Sequence, residues 1–179
     1  MKLVALIFIG AFAFMTARAG EKVEGAFGFK FGDSFQPSSP PVMKDVVGGK
    51  GFEVKAKVPN PMFSEYLVYI TPNSHLIYQI VGLARAVDKP GDNVSHSCHE
   101  LQEKLGAILE RKYGRKPGTA ASDYGTDSTG VSLTSVYGAR EGCYFGIVYK
   151  DAKLEQQATD EGRKTRQQEL LRDADATGL

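Results

Sequence analysis

Two apolar runs separated by four turn-forming residues set the first limit on how this chain folds. Residues 65–71 (EYLVYIT) and 76–86 (LIYQIVGLARA) are rich in β-branched and aromatic side chains, which suit a pleated, half-buried surface. Between them stand Pro72, Asn73, Ser74 and His75, a turn signal. A link this short joins antiparallel strands, because a parallel pair needs a crossover of a dozen or more residues. The pattern returns at 131–136 (VSLTSV) and 143–150 (CYFGIVYK), which flank YGAREG. In the last run Cys143, Phe145, Ile147 and Tyr149 point one way, and Tyr144, Gly146 and Val148 the other. Both sets are fairly apolar, which predicts a central strand.

Earlier segments add strands. GAFGFKFGDSF (25–35) alternates Phe27, Phe29 and Phe31 with Gly28 and Lys30, the period of a strand. FEVKAKV (52–58) alternates likewise, with Lys55 and Lys57 facing water. QPSSPPVMKDVVGGKG (36–51) reads as a long loop with a short helical turn. Its GGKG does not qualify as a phosphate loop. No glycine stands at the required distance before Gly49-Lys50, and Gly51 replaces the magnesium-binding Ser or Thr.

NVSHSCHELQEKL (93–105) opens a helix. Ser97 and Glu100 have the spacing of a capping box. Cys98, Leu101, Leu105 and Ile108 share one face. Arg111 and Lys112 suit the last turn, and Gly114 and Pro117 stop it. From Asp151 on, the sequence predicts a polar helix packed only through Leu154, Ala158, Leu170 and Leu171. Its DADATGL end is expected to fray. The expected fold is α+β: an antiparallel sheet built from hairpins, in hairpin–helix, hairpin–helix order, with both helices packed on one face.

The first twenty residues, MKLVALIFIGAFAFMTARAG, have a basic start, an uncharged apolar run and an A-x-A site at Ala17–Ala19. They read as a signal peptide, residues 1–19, cleaved after Ala19. The apolar run is shorter than the roughly 20 residues of a membrane span. Export to a periplasm or beyond is expected, with no membrane span after cleavage. Of 179 residues, removal of 19 leaves 160, read as one α+β domain (20–154) and a polar C-terminal helix or tail (155–179). Loss of Lys2 and Arg18 takes the net charge from +1 to −1. A balanced charge does not favour nucleic acid as a partner.

The cysteines constrain the chemistry. In an oxidising compartment the two Cys of the chain predict a Cys98–Cys143 bridge between helix and sheet. A bridged cysteine is no thiolate ligand, so no metal or other cofactor is expected. The alternative metal or hydrolytic site is His96, His99 and Glu103. His99-Glu100-x-x-Glu103 departs from the zinc-protease H-E-x-x-H by a glutamate in the second histidine position, and no histidine follows. No G-x-S-x-G elbow is present, and no catalytic residue can be assigned. The basic stretch ERKYGRK (110–116) is accounted for by helix-dipole complementation. With 8 Tyr, 10 Phe and no Trp, recognition by an aromatic sheet face is expected from Tyr66, Tyr69 and Tyr78, if helices leave one face open. These readings predict a non-enzymatic exported protein that binds another envelope or secreted protein, as inhibitor or accessory.

Overall fold

A computed structural model describes residues 22–44, 49–86, 94–116, 118, 122–138 and 142–177. The signal segment lies outside the described residues. So do the side chains of His96, Ser97 and Cys143.

The protein is α+β. Its elements are β1 (Gly25–Ala26), β2 (Phe29–Lys30), β3 (Met43–Lys44), β4 (Lys50–Glu53), β5 (Glu65–Ile70), β6 (Ile77–Ala86), α1 (Val94–Tyr113), β7 (Asp123–Gly125), β8 (Thr129–Gly138), β9 (Gly142–Asp151) and α2 (Ala152–Thr177). Strands β3 to β9 form one antiparallel sheet in the order β3-β4-β5-β6-β9-β8-β7. The middle joint is the β6–β9 ladder, which runs from Gln79↔Lys150 to Ala86↔Cys143.

The sheet has two covered faces. On the first, Val68, Ile80, Ala84, Val131, Leu133, Phe145, Ile147 and Tyr149 pack with Leu105, Leu109 and Tyr113 of α1. On the second, Leu67, Tyr69, Tyr78 and Val81 pack with Leu154 and Ala158 of α2. The helices therefore lie on opposite faces, which corrects the one-face expectation. The cause is two-sided apolarity at the centre. Ile80 and Val81 are adjacent in β6, and Ile147 and Val148 in β9, so each strand offers apolar side chains to both sides.

A helix following each three-stranded meander suggests an internal duplication, but the faces exclude a twofold between the halves. An axis that exchanged antiparallel β6 and β9 would stand perpendicular to the sheet. It would keep both helices on one face.

The first strand reading also changes. Residues 25–30 form a tight hairpin, with Gly25↔Lys30 and Ala26↔Phe29 paired. Phe27 and Gly28 make the turn, both at positive φ (55° and 85°). The Phe27 carbonyl accepts from both Lys57 and Val58 N–H (3.1 and 3.0 Å). These bonds clamp the hairpin over the first face.

Helix α1 starts at Val94, so Ser97 is inside it rather than at its cap. The buried stripe is Cys98, Leu105, Leu109 and Tyr113; Ile108 is exposed, against expectation. Gly114 ends the helix at φ 72°, and its N–H donates to the Glu110 carbonyl (2.9 Å).

Helix α2 docks by Leu154, Ala158, Glu161 and Thr165, at spacings of 4, 3 and 4, one stripe of a helix. Glu161 is the anchor. One carboxylate oxygen accepts from the Ser74 hydroxyl (2.6 Å) and the Gln157 amide (2.9 Å). The other accepts from Asn73 and Ser74 N–H (2.8 and 3.1 Å). Beyond Thr165 most of the described side chains are exposed. Leu170 and Leu171 are exposed rather than packed, and the helix continues to Thr177, into the segment expected to fray. Among the described residues no helix is long and apolar enough to cross a membrane.

Partial burial works to raise the Glu161 carboxyl. The hydrogen bonds from Ser74, Gln157 and the two amides outweigh it and hold the group below its ordinary value. A carboxyl depressed in the folded state stabilises above its unfolded pKa of about 4.3. That stabilisation is lost as pH falls through the folded value. We predict that Glu161→Ala costs about 1 kcal/mol at pH 7, after allowing for solvent screening. In urea melts the gap to wild type should close when pH drops below the folded value of this carboxyl. A gap that persists in acid would show that the contact does not depend on the charge.

Candidate functional site

The residues singled out in 93–105 meet a cleft between α1 and the β7–β8 edge. Its volume is about 570 Å³. Helix α1 supplies His99, Gln102, Glu103, Gly106, Ala107 and Glu110, all on one side of the helix. Facing them are Ser122, Tyr124 of β7, Leu133 of β8, and Arg115 just past the helix.

The local sequence makes this arrangement. Gly114 turns the chain at the end of α1, and its carbonyl accepts from Gly125 N–H (3.0 Å). Lys116 N–H donates to the Asp123 carbonyl (3.1 Å), and Arg115 bridges Tyr124 in antiparallel fashion. The helix end is thus stitched to β7. Gly106 admits the Tyr124 ring: a Cβ there would lie 2.9 Å from the phenol oxygen. Ser132 donates to Asp123 (2.7 Å) and helps hold the short β7 on β8.

Two side-chain pairs frame the cleft. His99 Nε2 lies 3.2 Å from Glu103 Oε1, and Arg115 lies 3.0 Å from Glu110. The hydrogen bond from Arg115 holds the Glu110 carboxyl below its usual range, against slight desolvation. Arg115 is raised in turn, chiefly by the same bond. Burial pushes the Tyr124 phenol up; the Arg115 charge opposes this, while Glu110 and Asp123 add to it. Glu110 is therefore ionised and Tyr124 neutral across ordinary pH. Glu103 and Glu110 stand seven residues apart on one helix, roughly 10.5 Å along its axis.

The sequence candidates fare differently. His99 and Glu103 do come together, as neighbours on α1 at the rim of the cleft. The His96 side chain lies outside the described residues. Among the described residues no group of three or more His, Cys, Asp or Glu is placed to hold a metal ion. Tyr66 and Tyr69 lie on opposite faces, as the strand period requires, but Tyr66, Tyr69 and Tyr78 are all buried (7%, 6% and 0% exposed). They cannot form an open recognition face, because α2 covers Tyr69 and Tyr78, and Phe27 and Phe63 pack on Tyr66. Tyr66 also exchanges hydrogen bonds with the Asn60 backbone (2.8 Å each). Sequence reading missed Tyr124, Arg115 and Glu110 as site residues. The available signal was Gly106, a small residue in the middle of the polar face of a helix.

Compared with known proteins, the chain matches no protein family model, no curated protein and no solved structure.

His99 and Glu103 are both about two-thirds exposed (67% and 68%). A surface pair of this kind contributes little. The double substitution His99→Ala with Glu103→Ala should change unfolding stability by less than about 0.5 kcal/mol. A loss well above that, measured by urea denaturation, would assign the pair a structural role.

Proposed function

We propose that this is an exported, non-enzymatic binding protein whose α1–β8 cleft receives a charged segment of another envelope or secreted protein. The observation that carries this reading is the cleft itself. Leu133 and Ala107 give it apolar lining, and Glu103, Glu110 and Arg115 bring charges of both signs to it. Its carboxylate at Glu110 is committed to Arg115 rather than poised for proton transfer. Such a surface matches charged side chains by sign and register, which gives specificity.

Export rests on the signal-like residues 1–19, and with it the Cys98–Cys143 bridge. Three observations support that pairing. Cys98 is buried on the sheet side of α1, and no cysteine is free among the described residues. Position 143 shares a face of β9 with Phe145 and Ile147, the face α1 covers. The lengths also agree. Tyr113 packs on Tyr149, 6.5 Å between ring centres. Fifteen residues of helix back to Cys98 span about 22 Å, and six residues of strand back to position 143 span about 20 Å. Closing that loop contributes on the order of 4 kcal/mol in the chain-entropy model.

A second reading, hydrolysis of a cell-wall or secreted polymer, has one observation in its favour: His99 and Glu103 line the same cleft as Glu110.

The test places a photo-crosslinking residue at Gln102, inside the cleft, and separately at Arg172, on the solvated end of α2, in the protein's own host. A discrete protein adduct from position 102, absent from 172 and lost with Arg115→Glu, is expected. Equal adducts from both positions, or none from 102, overturn the binding reading. Release of soluble fragments from cell-wall polymer, abolished by Glu103→Gln, would establish the hydrolase instead. Intact mass of the same material should lack residues 1–19 and gain two hydrogens on reduction.

A further inference from the structure

A second hollow lies on the same face of the sheet, away from the cleft already described. It is a groove of about 510 Å³ between the β1–β2 hairpin and the end of α1. Its walls are aromatic. Phe27, Tyr113 and Tyr149 line it, and the Val58–Pro61 segment forms its far rim. Phe27 meets Tyr149 edge-on at 5.6 Å, and Tyr113 meets Tyr149 at 6.5 Å.

The groove is built, not left over. Phe27 is a bulky residue at φ 55°, a backbone region that L side chains rarely adopt. It is held there by the two N–H groups of Lys57 and Val58 on its carbonyl. Below the ring, Gly82 leaves the space it needs: a Cβ there would lie 2.8 Å from the Phe27 ring. Strain of this kind persists where the surroundings over-determine it, and it clusters at binding sites.

One polar group in the groove has no internal role. Tyr149 is 8% exposed, and its hydroxyl has no hydrogen-bond partner among the described residues. Burial, and secondarily the Tyr113 phenol, push this hydroxyl well above the ordinary tyrosine range. It stays protonated and is available as a donor. Buried polar groups are rarely left unpaired, and one that is unpaired calls for an explanation.

The groove also opens toward positive charge. An adjoining hollow of about 420 Å³ shares Gly25, Lys112 and Tyr113 with it and adds Lys22 and Glu24. The Lys112 ammonium lies 5.0 Å from the centre of the Tyr113 ring, where the two hollows meet. Lys22 and Lys112 bring two ammonium groups to this junction, with Glu24 beside them, and an anionic ligand suits them.

We propose that this groove binds a small aromatic monocarboxylate, with its ring among Phe27, Tyr113 and Tyr149 and its carboxylate between the Tyr149 hydroxyl and Lys112. The Tyr149 hydroxyl donates to a carboxylate oxygen, a charge-assisted bond that an amide of the same shape receives more weakly. The rings supply edge and face contacts to the ligand ring. This site is separate from the α1–β8 cleft, so its failure leaves the protein-binding reading standing.

The experiment is a titration of the full protein, labelled with nitrogen-15, with phenylacetate and with phenylacetamide. Saturable amide shifts are expected around Gly25, Lys112 and Tyr149. Phenylacetamide should bind about tenfold more weakly. Tyr149→Phe keeps the ring and should weaken phenylacetate about tenfold, with an unchanged melting curve. Lys112→Gln should bring the two ligands to nearly equal affinity. No saturable shift up to about 10 mM, a threshold corresponding to negligible affinity, overturns the proposal. So does equal binding of acid and amide to the wild type, or wild-type affinity in a folded Tyr149→Phe protein.

Discussion

The pairing of β6 with β9 is the joint on which the rest of the molecule depends. It connects two meanders, β4-β5-β6 and β7-β8-β9, through one long antiparallel ladder. Both strands of that ladder are apolar on both sides, so neither face can be left to water. The sheet must be covered twice. One cover is α2, which follows β9 directly and folds back across β6 and β9. The other is composite: α1 lies over the β8–β9 half, and the clamped β1–β2 hairpin with the segment at 54–63 lies over the β4–β6 half.

Each cover is fixed by a different kind of interaction. Helix α1 is held by an apolar stripe and by backbone bonds that tie its last turn to β7. Helix α2 carries few apolar side chains, and only Leu154 and Ala158 are buried with the second-face cluster. A polar helix with so little apolar contact needs a specific anchor. Glu161 provides it by taking the Asn73 and Ser74 N–H groups of the β5–β6 turn. Its other oxygen binds Ser74, whose hydroxyl also meets Thr71 (2.7 Å). The turn that joins β5 to β6 is therefore also the dock for the last helix. The later turns of α2 continue from a docked stem, which supplies the nucleus that a short helix lacks on its own.

Local pattern in the sequence carries most of the strands and both helices. Residues 65–86 and 131–150 alternate or run apolar around short turns, and they pair as those turns require. Gly114 marks the end of α1 because a left-handed residue there admits glycine most readily. The two-sided apolarity of 143–149 was legible as well, and it already implied a second layer. Placing both helices on one face conflicted with it. Other features were not local. The tight hairpin at 25–30 depends on positive φ at Phe27, which contacts with residues distant in sequence, Lys57 and Val58 among them, hold in place. The start of α1 was displaced because Ser97 and Glu100 match a cap by spacing alone. The site residues Arg115 and Tyr124 meet α1 only after Gly114 has turned the chain. Periodicity does not reveal a contact made across such a turn.

The two hollows share an origin in this architecture. Ligand sites tend to form where separately folded pieces abut, because side chains from different elements converge there without filling the space. On the first face the cover is made of two pieces, one that precedes β5 and β6 in the chain and one that follows them. The aromatic groove is the seam between them: Gly25 to Gly28 and Val58 to Pro61 on one bank, Lys112 and Tyr113 on the other, and Tyr149 of the central sheet at the bottom. The charged cleft is the outer margin of the same cover, where α1 overhangs the short β7. Both hollows border α1, one on each side of its last turn. The glycines that shape them, Gly82 under Phe27 and Gly106 against Tyr124, would each meet an aromatic side chain within 3 Å if they carried a Cβ. A rigid ring set over a glycine is a tight fit that cannot relax by small shifts. That fit keeps both hollows defined in shape before anything enters them.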